Sequence, residues 1–132
     1  MDAQVKAIIH EMTRASDEER ITFGEVVGAL ARAGVERYHA DLVVANKTYY
    51  LPDDTFEIIP CHAVSRPARA FSAGGVEAAV RAIQTRRIKY REFCELIAAA
   101  GCVGYLVTLT GARAIYYGRD GDEHVERFPA VN

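Results

Sequence analysis

The sequence predicts an α+β fold built by internal tandem duplication of a helix-helix-strand-strand-strand unit, with antiparallel meanders packed on helices. Three observations predict it. Residues 19–53 align without a gap on residues 86–120 at a constant offset of 67, with twelve of 35 positions identical; chance gives about two or three. Apolar residues recur at helical spacing before each glycine of that alignment and suit strands after it. The 132 residues, 50% hydrophobic and 26% charged, are enough for one ordinary core.

The identical pairs include Arg20 with Arg87, Glu25 with Glu92, Gly34 with Gly101, Tyr38 with Tyr105, Leu42 with Leu109, Ala45 with Ala112, and Tyr49-Tyr50 with Tyr116-Tyr117. Upstream the offset becomes 71, placing Val5-Lys6-Ala7 on Val76-Glu77-Ala78, so the first copy carries four extra residues near 15–18. About 65 residues is a marginal size for an independent core. A single domain over 1–132 is therefore expected, made of repeats at about 1–60 and 74–132 and joined by a loop at 61–75.

In the first copy Val5, Ile8, Ile9 and Met12 mark one face of a first helix. Thr22 followed by Glu25 is a capping box, with Ile21 set to staple onto Val26. Val26, Val27, Leu30 and Ala31 then form a buried face that Gly34 ends. Val76, Ala79, Val80 and Ile83, followed by Phe93, Leu96, Ile97 and Ala100, repeat the scheme up to Gly101. Strands are expected at 37–44 and 47–51, across a turn at Ala45-Asn46, and at 105–110 and 114–117, across a turn at Ala112-Arg113. Third strands follow at 55–59 and 124–128. The two meanders can join in one six-stranded sheet, pair across a pseudo-twofold axis, or pair between two chains.

The segments Gly34-Val35-Glu36-Arg37-Tyr38-His39-Ala40-Asp41, Thr48-Tyr49-Tyr50, Tyr90-Arg91-Glu92-Phe93-Cys94, and 99–105 leading to Tyr116-Tyr117-Gly118 resemble the YbcV-like family. Its members are small bacterial proteins classed as a domain of unknown function and sometimes labelled phage envelope protein. The resemblance runs from about Thr22 to Pro129 and implies no catalytic residues.

If the first hairpin turns at Ala45-Asn46, strand alternation puts His39, Asp41, Val43, Thr48 and Tyr50 on one face, with Asp41 opposite Tyr50 and His39 diagonal to it. An imidazole, a carboxylate and a phenol grouped in this way can act as an acid-base site, with His39 as base, Asp41 orienting it and Tyr50 as acid or oxyanion donor. The same residues also suit a solvated sheet face, with the tyrosines as cross-strand packing. The second hairpin carries Leu106, Thr108, Thr110, Ile115 and Tyr117 there, so only the tyrosine is repeated. Adjacent strand tyrosines point to opposite faces, so one of each pair, such as Tyr117, can line a pocket.

Cys61, Cys94 and Cys102 cannot all pair within the chain and are read as reduced thiols of a cytoplasmic protein. Cys94 and Cys102 read as buried small hydrophobes, and Cys61-His62 as the more reactive, ligand-binding pair. No metal-site spacing, P-loop, dinucleotide fingerprint, nucleophile elbow or HExxH occurs, so no cofactor and no metal are expected. Net charge is -2, and Glu77, Glu92 and Glu95 dilute the cluster of Arg81, Arg86, Arg87, Lys89 and Arg91; no nucleic-acid partner is expected. Neither a basic leader nor a 20-residue apolar run is present, and no membrane association is expected. Two function classes remain: a non-catalytic ligand-binding or self-assembling module, with a small-molecule ligand or a homodimer as partner, and a small cofactor-independent isomerase, cyclase or hydrolase.

Overall fold

A computed structural model describes residues 1–128; the last four residues of the expected second repeat lie outside them. The first copy runs α1 (Ala3–Asp17), α2 (Phe23–Arg32), β1 (Arg37–Asp41), β2 (Asn46–Tyr50) and β3 (Phe56–Pro60). The second runs α3 (Ala73–Gln84), α4 (Tyr90–Ala99), β4 (Gly104–Thr108), β5 (Arg113–Tyr117) and β6 (Glu123–Arg127). One antiparallel sheet contains all six strands in the order β3-β2-β1-β4-β5-β6.

The duplication is carried in the backbone. α2 falls on α4 and every strand of the first copy on its counterpart at the same offset of 67. The left-handed residues do likewise: Glu19 with Arg86, Gly34 with Gly101, Ala45 with Ala112, and Asp54 with Gly121. Non-glycine residues enter this region at an energetic cost, so its repetition at every turn shows that the turns themselves were duplicated. β1 pairs with β4 so that His39 faces Leu106, its own counterpart. A pseudo-twofold axis therefore passes through the sheet between these two residues.

Local chemistry explains the ends of the elements. Thr22 and Glu25 form the expected reciprocal cap on α2. Asp2 and Ser72 cap α1 and α3, so the joining loop ends at residue 72. Val26, Leu30, Val76, Ala79, Val80, Phe93, Cys94 and Ile97 pack from the helices onto Tyr38, Ala40, Tyr49, Ile59, Tyr105, Val107, Ala114 and Tyr116 of the sheet. Each fully buried Leu or Ile, such as the equivalent Leu30 and Ile97, contributes about 1.5–3 kcal/mol. Leu96 and Ala31, expected inside, face outward; on α4, Cys94 and Ala98 complete the buried face instead.

The hairpin register differs from the expected one. β1 ends at Asp41 rather than residue 44, and residues 42–45 form a four-residue loop. Asp41 Oδ1 accepts the backbone N–H groups of Val43 and Val44, both at 2.9 Å, which bends the chain before the expected turn. Thr108 does the same in the second hairpin, accepting from the Gly111 N–H at 3.0 Å. Asp41 thus stands opposite Asn46, His39 opposite Thr48, and Tyr50 opposite Arg37. The shift is by an even number of residues, so the side chains that remain in β1 and β2 keep their expected faces, whereas Val44, expected on the core face with Tyr38 and Tyr49, falls in the loop and is 64% exposed. The third strands start one residue later and one earlier than expected, respectively.

Candidate functional site

The helix-free face of the sheet is ordered in three rows. The central row runs Ile58–Thr48–His39–Leu106–Ile115–Val125 across all six strands. One flank is Phe56–Tyr50–Arg37–Thr108–Arg113–Arg127, and the other Pro60–Asn46–Asp41–Gly104–Tyr117–Glu123. Ile58 is 54% exposed and Val125 38%. The face is therefore aliphatic at four of its six central positions, with Thr48 and His39 between them, basic along one side and acidic along the other.

His39 meets a phenol here, but not the expected one. The shifted register carries Tyr50 away to Arg37, whose guanidinium lies 4.2 Å over the Tyr50 ring while also pairing with Glu36. The partner of His39 is Tyr117, with its hydroxyl 2.7 Å from Nε2 and the two rings stacked at 5.8 Å. Gly104 makes this contact possible, because a Cβ there would fall 2.6 Å from the Tyr117 hydroxyl. Burial lowers the His39 pKa against the opposing pull of Asp41 and raises that of Tyr117. Asp41 is occupied by the turn and makes no hydrogen bond to His39. Burial thus favours the neutral form of both rings, which share one hydrogen bond.

A second polar group lies on the other side of the sheet, under the helices. Lys47 is 3% exposed, and its ammonium rests 4.7 Å over the ring of Tyr90 with no carboxylate in salt-bridge range. Burial lowers its pKa, opposed by Cys61, Cys94 and Asp17. The same Tyr90 ring lies in a T-shaped contact with His62, centroids 5.4 Å apart, and the Tyr90 hydroxyl bonds that of Tyr105 at 2.8 Å. Asp17 accepts from both the backbone N–H and Nδ1 of His62, at 3.1 and 2.8 Å. Those bonds leave His62 Nε2 buried without a partner, in a side chain only 8% exposed. Cys61 stands beside this cluster, and burial raises its pKa rather than activating the thiol. Burial holds Cys94 at about 12 and Cys102 at about 11, which makes them inert core thiols.

Of the residues expected to carry chemistry, the structure joins His39 to Tyr117 and places Cys61 and His62 side by side in the linker. Asp41 and Tyr50 each have other partners. Sequence reasoning passed over Lys47, Asp17 and Tyr90, though two of them left a signal. Lys47 alternates in phase with Tyr49 on the core face, where the second copy has Ala114. Asp17 belongs to the four residues by which the first copy exceeds the second, so that extension delivers the partner of His62. Among the described residues no cluster of His, Cys, Asp and Glu is placed to hold a metal, and no helix is long and apolar enough to cross a membrane.

Taken together, these features define the molecule as a duplicated α+β protein with one helix-covered and one open sheet face. Residues 66–126, which span the end of the linker and the second copy into β6, match the family model described as "Protein of unknown function (DUF1398)". No curated protein matches the chain.

Proposed function

We propose that the chain is a non-catalytic self-assembling module whose open sheet face takes a second copy of itself. The observation that carries this reading is the order of the three rows. Rotating one copy by 180° about an axis along the central row lays each strand over its own equivalent and exchanges the flanks. Arg37 then meets Asp41 of the partner subunit, Arg127 meets Glu123 of the partner subunit, and the central rows close on each other. Rotation about an axis along the strands would instead bring like flanks together. Opposite charges on the inner strand β1 and the edge strand β6 fix the register while the aliphatic residues of the central row supply most of the attraction.

Six strands of five residues make a plane of roughly 500 Å² before side-chain relief, below the about 800 Å² per partner of a standard interface. A reversible, concentration-dependent dimer fits that area. The YbcV-like resemblance, a bacterial origin and a cytoplasmic setting belong to the same reading, supported by the quoted motifs and the three unpaired thiols.

Sedimentation velocity over a concentration series tests it. The expected result is a monomer–dimer equilibrium that Ile58→Glu with Val125→Glu abolishes, with the fold intact by circular dichroism. Arg127→Glu should weaken association about tenfold or more, and adding Glu123→Arg should restore it. A wild-type chain that stays monomeric throughout, or a dimer indifferent to these changes, overturns the proposal.

A further inference from the structure

The proposed dimer carries one titratable group on its axis. The rotation that closes the central rows leaves each member of the row facing its own equivalent, and five of the six self-pairs, those of Ile58, Thr48, Leu106, Ile115 and Val125, hold no ionisable group. The sixth is His39. It lies on the inner strand β1, beside the pseudo-twofold axis of the sheet, so its self-pair falls in the middle of the contact, away from the solvated rim. The second copy has Leu106 at the equivalent place, and an aliphatic residue therefore satisfies the face there.

The charges around His39 are already engaged. Along β1, Asp41 and Arg37 flank it on the same face; Asp41 Oδ1 accepts the turn amides, and Arg37 pairs with Glu36 and covers the Tyr50 ring. In the dimer Asp41 also answers Arg37 of the partner subunit. β2 brings Thr48 opposite His39, with Asn46 and Tyr50 diagonal to it, and β4 brings Leu106 with Gly104 and Thr108. From β5 the Tyr117 hydroxyl hydrogen-bonds Nε2 at 2.7 Å, and Arg113 stands on the far side of the row. A second copy presents the same groups with the flanks exchanged, and adds a second imidazole.

Two neutral imidazoles pack within such a row, whereas two imidazolium ions facing each other in a poorly polar contact repel. Burial in the single chain already favours the neutral ring, and a second sheet laid over it removes more water. We propose that His39 makes the association pH-dependent, holding the two copies together while neutral and separating them once protonated. This inference rests on the face-to-face dimer proposed above and supplies its regulation. The sign follows from linkage: a dimer that accepts only neutral His39 releases protons as it forms, so its affinity falls with pH as the square of the neutral fraction.

The chain's other histidines, His10, His62 and His124, bond Glu57, Asp17 and Glu126 away from the open face. Sedimentation velocity on the intact chain over a concentration series, at about pH 7.5 and at about pH 5, where ordinary carboxylates are still mostly ionised, therefore reads His39. The expected result is a wild-type dissociation constant at least about tenfold larger at the lower pH, against a change below about twofold in His39→Leu. That variant should also associate more tightly than wild type at the lower pH. Circular dichroism at both pH values separates dissociation from unfolding, and His39→Gln, which keeps a hydrogen-bonding group for Tyr117, should lose the pH dependence in the same way. A wild-type dimer of equal affinity at both pH values, or one whose pH dependence survives in both variants, overturns this inference and leaves the dimer standing. A wild-type chain that is monomeric at about pH 7.5 overturns both.

Discussion

The two copies share their strands, their turns and their left-handed residues, yet differ at the positions where polar chemistry is found. Around the sheet's pseudo-twofold axis His39 answers to Leu106, Arg37 to Gly104, and Lys47 to Ala114. Tyr90, whose ring carries Lys47 and His62, answers to Phe23, which is 44% exposed and packs edge-on against Phe128 at 5.5 Å. The backbone duplicates and the side chains diverge. At equivalent places one copy therefore serves as a control for the other, separating what the fold requires from what has been added to it. The lysine cluster draws on both copies and on the linker, since Lys47 comes from the first, Tyr90 from the second and His62 from between them.

Exchanging residues between the copies is the sharpest way to break this comparison. Ala114→Lys would place an amine in a core site lacking the tyrosine ring and the Asp17 carboxylate. It should destabilise the fold by about 3–5 kcal/mol. The reciprocal Lys47→Met should stabilise it by about 1–3 kcal/mol, because an apolar side chain of similar length replaces a desolvated amine. Urea melts of both variants measure the pair. A destabilised Lys47→Met would mean that the amine holds the core together and that the two copies do not differ in this way.

A smaller difference separates two glycines of identical conformation. Gly34 and Gly101 both have φ of 87°, but a Cβ on Gly34 meets open space, whereas one on Gly101 falls 2.2 Å from the Ala70 carbonyl oxygen. Gly34→Ala should lose about 1 kcal/mol for the left-handed backbone alone. Gly101→Ala must also move the linker and should lose about 3 kcal/mol. Equal losses in the two melts would show that the linker yields freely there.

The smallest effect concerns pH. Burial lowers the His39 pKa from its ordinary 6.5, so the unfolded chain binds this proton more readily than the folded one. The sign follows: stability tied to the neutral imidazole is present above pH 6.5 and is lost as pH falls below it towards the folded pKa. His39→Leu, the residue the second copy uses, should flatten the wild-type slope between neutral and mildly acid pH. Tyr117→Phe removes a hydrogen bond and should lower stability by about 1 kcal/mol; Tyr50→Phe, whose hydroxyl takes no part in the Arg37 contact, should stay within about 0.5 kcal/mol.

The elements, the duplication and the face of nearly every strand residue were legible in the sequence, because periodicity and capping are local properties of the chain. The alternation that put His39 and Tyr50 on one face survived the shift in register, since the shift was even. Their juxtaposition did not survive, because an Asx turn by Asp41 competed with the two-residue turn assumed for the hairpin. A shift of a few residues along a strand moves a side chain by more than a hydrogen bond can span.

What the sequence determined by itself is the repeated unit: helices with their caps, strands with their alternation, and a core-facing lysine where its copy has alanine. Only the tertiary structure decided which strands meet at the pseudo-axis, that Tyr117 reaches His39 across the bare Cα of Gly104, and that Asp17, His62, Tyr90 and Lys47 converge from four separate segments. The reason is range. Periodic patterns record the burial of each residue against an average core, whereas a site depends on which particular residues, 43 to 78 positions apart in the chain, come within a few ångströms once the sheet has closed.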